Sequence, residues 1–175
     1  MVMTVALSFG QRLGRALKHW LATASAGRKA FPDTTLAAIE RAISDGEQLH
    51  RAELRLILEH SLGLREAFQG LSNRERARQL FAQYGVWDTE ENCGVLIYIN
   101  LAEHQVDIVA DRHVGRRIPA QQWQAICRTM TQGYASDEYH ASTLKAIDAL
   151  NDLLRLHFPS NGPRPNQLPN QPIVL

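Results

Sequence analysis

The chain has 175 residues, enough for one domain with a sizeable core, and its 45% apolar and 21% charged residues are ordinary for a globular protein. A formal net charge of +1 supplies no overall field that would select nucleic acid or a membrane. Two cysteines, Cys93 and Cys127, are too few for a disulfide scaffold and fit a reducing compartment, and no stretch reaches the roughly 18–20 apolar residues of a membrane span.

Charge is nonetheless unevenly placed. No Asp or Glu precedes Asp33, whereas Arg12, Arg15, Lys18, Arg28 and Lys29 all do, so this segment carries five positive charges and the remainder a net of four negative ones. Leu13, Leu17, Trp20, Leu21 and Ala24 recur at helical spacing, which predicts a basic amphipathic helix within residues 5–24. Packing of that stripe on its own domain is the expectation. Contact with a partner or with an anionic membrane surface is the alternative. Arg12, Arg15, Lys18 and His19 interrupt the apolar stretch before the Ala24-Ser25-Ala26 spacing, so a cleaved signal peptide is not expected.

Phe31-Pro32-Asp33 breaks this helix and starts another, with Asp33 as cap and Leu36, Ile39 and Ile43 as the buried stripe. Residues 53–59 alternate polar and apolar at their ends and predict a strand. Ser72 and Glu75 have capping-box spacing. The helix they open buries Ala77, Leu80, Phe81 and Tyr84 and stops at Gly85. Residues 94–101 and 105–111 are strands separated only by Ala102, Glu103 and His104, so they must form an antiparallel hairpin. Pro119 opens a helix with Trp123, Ile126, Cys127 and Met130 on one face. A last helix over about 137–157 turns Leu144, Ile147, Leu150 and Leu154 inward, with Asn151 and Asp152 as polar interruptions.

Residues 159–175 hold five of the seven prolines, which predicts a disordered tail. The fold class is α/β: an α/β/α sandwich over residues 32–158, its small mixed sheet including the hairpin. A basic amphipathic helical extension (1–31) precedes it and the Pro-rich tail follows.

Strands 53–59 and 94–101 are joined through a helix, so as neighbours they run parallel with their starting ends together. The hairpin returns Asp111 to that same end. One rim therefore gathers His50, Glu53, Asp88, Glu90, Glu91, Asn92, Cys93, Asp111, Arg112 and His113. Oxygen donors grouped on loops suit calcium or another divalent cation, with Asp88, Glu91, Asn92 and Asp111 as candidate ligands. An Asp beside Arg and His suits a phosphate or acid–base chemistry instead. The plainer alternative makes Asp88 and Asp111 turn and cap residues, and Glu90 and Glu91 solvated loop charges.

No P-loop, G-x-G-x-x-G or G-x-S-x-G occurs, and His19, His60, His104, His140 and His157 lack metal-site spacing. Cys127 lies on an apolar stripe and reads as core; Cys93 borders the rim with no activating base nearby in sequence. The basic stretch lacks interleaved stacking aromatics, so nucleic acid is not an expected partner.

Tyr84-Gly85-Val86-Trp87, Asn92-Cys93-Gly94-Val95-Leu96-Ile97-Tyr98-Ile99, Val106-Asp107-Ile108-Val109-Ala110-Asp111 and Tyr139-His140-Ala141-Ser142-Thr143-Leu144-Lys145-Ala146-Ile147-Asp148 together resemble the core of the TPM domain family. That family includes thylakoid-lumen phosphatase-like proteins of photosystem II repair, nematode receptor modulators and many bacterial proteins. The resemblance runs from about Asp33 to Phe158. It implies an α/β/α sandwich, calcium in the edge loops of some members, and weak acid phosphatase activity in the plant type. The family's Asp-Asn-Gly falls on Asn92, Cys93 and Gly94, so a charge and an oxygen donor are lost there. Asp111 is acidic where many members carry a small or aromatic residue, and a common Gly before the last helix's apolar run is Ser142.

The leading functional expectation is a non-enzymatic accessory or binding module with a protein partner and a divalent cation at the rim. A weak acid phosphatase is the second reading. A peripheral membrane-associated assembly factor acting through residues 5–24 is the third. The expected location is cytoplasmic or peripheral to the inner membrane face.

Overall fold

Three short, largely apolar runs form adjacent strands: β1 (Glu53–Glu59), β2 (Gly94–Asn100) and β3 (Gln105–Ala110). The computed structural model describes residues 8–21 and 24–175, the side chains of residues 21 and 24–26 excepted. Ahead of β1 come helices α1 (Phe9–Leu21), α2 (Ala24–Ala30) and α3 (Asp33–Glu47). Helices α4 (Leu64–Gln69) and α5 (Asn73–Gln83) cross from β1 to β2, and α6 (Arg112–Arg117), α7 (Ala120–Tyr134) and α8 (Tyr139–His157) follow β3. A two-residue strand, β4 (Ile173–Val174), closes the chain.

The sheet order is β3-β2-β1-β4. Glu53 pairs with Gly94 in the parallel β1–β2 ladder, and Val95 with Ala110 in the antiparallel β2–β3 ladder. The starts of β1 and β2 and the end of β3 thus share one edge, as the hairpin argument requires. Successive side chains alternate between two apolar layers. Leu54, Leu56, Val95, Ile97 and Ile108 meet Ile39, Ile43, Met130, Ile147 and Leu150 on one face. Ile57, Leu96, Tyr98 and Val109 meet Ala77 and Leu80 on the other. This is the expected α/β/α sandwich.

Ser72 and Glu75 form the complete reciprocal cap of α5. Asp33, by contrast, is not a cap. Pro32 occupies that position, and its carbonyl accepts from Thr35 N at 2.8 Å, leaving Asp33 in the first turn where its charge meets the free amides. Asn151 is no surface interruption either. It is buried, donates to Ala42 O at 2.9 Å and fills the space over Gly46, where any Cβ would collide with it.

Two expectations about the termini are corrected. The N-terminal stripe does not pack on the domain: Leu13, Leu17 and Trp20 are exposed, and α1 docks through Arg15 and His19 instead. Residues 5–7 and 22–23 of the expected helix, and the side chains of Leu21 and Ala24, lie outside the described residues.

The tail is not a disordered segment. It runs along β1 and pairs Ile173 with Ile57 and Val174 with Leu58. Leu175 N donates to Leu58 O at 2.8 Å, and His60 N donates to Leu175 O at 3.1 Å. Proline removes a donor but keeps its carbonyl, and Arg55 donates to the carbonyls of Pro169 and Gln171. Leu168 is buried in the smaller apolar layer. The low apolar content of the tail counts for little because the open edge of β1 supplies its partners.

Candidate functional site

The rim is assembled by backbone bonds before any side chain is considered. Asp111 N donates to Gly94 O at 2.9 Å, and Glu53 N donates to Cys93 O at 3.2 Å. A Cβ on Gly94 would run into the carbonyl oxygen of Val86, so only glycine lets the 85–93 loop fold over the start of β2. Asn92 takes a left-handed φ of 53°, a conformation asparagine tolerates.

Within this frame the predicted side chains separate. Glu91 turns toward the tail, where its carboxylate meets Arg51 at 2.7 Å and Arg164 at 2.8 Å. Glu53 is buried and accepts from Gln167 N and Leu168 N, each at 3.2 Å. Burial raises its pKa, while those two amides and Arg164 pull it back. Asp111 caps α6, accepting from Arg112 N at 2.5 Å. Asp88 and Glu90 are exposed in the loop, and Glu90 N donates to Gln167 Oε1 at 2.8 Å. His50 is buried beneath the rim, its Nε2 3.1 Å from Asn151 Oδ1 and its Nδ1 3.1 Å from Ala52 O.

Cys93 is buried, and burial raises its thiol pKa, with Glu91 adding to the effect. His113 Nδ1 lies 3.9 Å from its sulfur but 3.1 Å from Glu91 O. An Nδ1–H donated to that carbonyl cannot accept the thiol proton, so the pair is not an activated nucleophile. Cys127 is half-buried, its thiol pushed up to about 11 by burial foremost. Both thiols are free.

The candidate cation ligands are spread over separate contacts. Among the described residues no three His, Cys, Asp or Glu side chains converge. Two guanidinium groups already neutralise Glu91, and Asp111 faces a helix start. A hard cation needs six to eight oxygens with net negative charge.

What the hairpin does build is an open cleft of about 850 Å³ lined by Phe81, Trp87, Asn92, Asp111, Arg112, His113 and Arg116, among others. Trp87, Arg112, His113 and Arg116 are exposed along it. Arg117 also lines it, donating to His157 O at 3.4 Å and lying 5.5 Å over the Phe158 ring. The cleft is cationic, with one carboxylate engaged as a cap.

Sequence reasoning missed Arg51, Thr89, Arg164 and Gln167. Thr89 Oγ1 accepts from Cys93 N at 2.9 Å, a spacing visible within five residues. The others come from distant segments, and no local pattern marks them.

Fold and rim together define the class: a mixed sheet between helices, with polar loops gathered where its parallel strands begin. The TPM domain family matches residues 26–153, and the chain belongs to that family. The chain is similar in fold to the NMR structure of the BA42 protein from the psychrophilic bacterium Bizionia argentinensis. The TM-score is 0.72 and the identity 20%, over 81% of this chain and 93% of that one. No curated protein sequence matches the chain.

Proposed function

We propose that this chain is a non-enzymatic TPM binding module whose rim cleft receives an anionic segment of a partner protein, carboxylate or phosphate in chemistry. The observation that carries this reading is the set of Arg112, Arg116 and His113 facing the cleft beside Trp87 while Asp111 is engaged at the start of α6. Guanidinium groups bind planar anions through paired N–H bonds, and an exposed indole adds stacking area. The calcium form of the module has less support, because Glu91 is held by Arg51 and Arg164.

The weak acid phosphatase reading uses the same cleft, with Asp111 moving a proton. Asp111→Asn separates the two, since asparagine caps a helix as well as aspartate does. Calorimetric titration with a phosphoserine peptide is expected to show binding that Arg112→Ala/Arg116→Ala weakens about tenfold or more. Turnover of an aryl phosphate is expected to be absent in both the wild type and Asp111→Asn. Heat with calcium and none with the peptide sinks the anion reading. Turnover that Asp111→Asn abolishes makes the protein a phosphatase. A peripheral membrane role draws on a different surface, the outward face of α1, and does not depend on the cleft.

A further inference from the structure

Helix α1 is attached by its polar side. Arg15 pairs with Glu103 and donates to Leu71 O at 2.7 Å. His19 is buried, accepting from Leu62 N at Nδ1 (3.0 Å) and donating from Nε2 to Glu103 (3.0 Å). Burial opposes ionisation of Glu103, but hydrogen bonds from His19 and Arg15 outweigh it and hold the carboxyl down at about 2. A polar latch of this kind fixes the rotation of the helix about its axis.

That rotation leaves the apolar stripe facing out. Phe9, Leu13, Leu17 and Trp20 are 52–72% exposed. Leu64 and Phe68 of α4, at 53% and 36% exposure, extend the same face, and the Phe9 and Phe68 rings meet edge to face with centroids 5.9 Å apart. Large apolar residues gathered in this way mark a contact surface. Lys18 and Arg65 are exposed on the same two helices. Helix α1 carries three cations and no carboxylate, Arg15 being paired with Glu103, and α4 carries Arg65 and Glu66.

We infer that the joint outward face of α1 and α4 docks on an anionic lipid bilayer. Charge complementarity selects this occupant. A second copy would bring like charges together across a two-fold axis, whereas anionic headgroups meet Lys18 and Arg65 while Phe9, Leu13, Leu17 and Trp20 enter the headgroup–acyl boundary. From Phe9 to Trp20 the helix is roughly 16 Å long, lying in the interface plane. No described helix is long and apolar enough to cross a membrane, so the contact is peripheral and salt-sensitive.

The test is flotation of the full chain with phosphatidylcholine vesicles, with and without about one-third phosphatidylglycerol. The protein is expected to float with the mixed vesicles only, and high salt should reduce the bound fraction. Leu13→Asp/Leu17→Asp changes only exposed positions and should lower binding about tenfold or more with an unchanged circular dichroism spectrum. Lys18→Glu/Arg65→Glu should do so without loss of apolar area. A wild type that stays at the bottom of the gradient overturns the inference, as does a leucine variant that floats like the wild type. Sedimentation velocity without lipid supplies the rival outcome: a dimer that the leucine substitutions dissolve gives the face to a second copy and overturns bilayer docking.

Discussion

Glu47 holds its proton into neutral solution. Its Oε1 accepts from Leu54 N at 2.8 Å at the start of β1. Burial foremost, then the nearby charge of Glu53, raises its pKa from the ordinary 4.5 to about 8. The fold therefore favours the protonated form. That stabilisation is complete below about pH 4.5 and is lost as pH rises through about 8. His50 acts in the opposite sense: burial lowers its pKa, so its contribution is lost as pH falls. Glu47→Gln keeps a neutral acceptor for Leu54 N and removes only the titration. Between about pH 5 and about pH 9 the melting temperature of the wild type should fall more steeply than that of the variant, which becomes the more stable at the alkaline end. Parallel melting curves would place the proton elsewhere.

At the scale of elements, the strands and long helices were legible in the sequence because their signals are local. Short apolar runs bounded by polar turns mark strands buried on both faces, and the capping box of α5 lies within four residues. Helices α4 and α6 span six residues each, fewer than two turns and too few to repeat a hydrophobic stripe, and were not anticipated. Loop 85–93 owes its course to Gly94, whose missing side chain admits the Val86 carbonyl. Gly94→Ala should cost about 2 kcal/mol or more in urea unfolding, through overpacking against backbone that cannot yield. Ser72→Ala, which removes only a cap, should cost about 1 kcal/mol. A Gly94→Ala cost no larger than that would mean the loop shifts freely.

At the scale of the whole molecule, the tail links the rim to the sheet. It supplies Arg164 to Glu91, two amides to Glu53, Leu168 to an apolar layer and a strand to the edge of β1. Truncation after Phe158 should destabilise the chain by on the order of 3 kcal/mol, since it bares the apolar surface under Leu168 and removes the β4 ladder on β1. The bared edge of β1 should also promote self-association, visible by light scattering. A truncated chain that melts with the full-length one and stays monomeric would reduce the tail to a passenger.

The hairpin was determined by the sequence alone, since two apolar runs and the four-residue connection 101–104 leave the backbone one arrangement, whereas the parallel pair and the shared edge followed only once the sheet placed β1 beside β2. Tertiary structure alone decided the partner of each charge. Arg51, Glu91 and Arg164 come from three separate stretches, and their meeting turned an expected cation ligand into the anchor of the tail. Likewise Glu103, at the far end of the hairpin, settled which side of α1 faces the domain. Electrostatic pairing depends on distance in space, and a run of residues along the chain does not encode that distance until the sheet has formed.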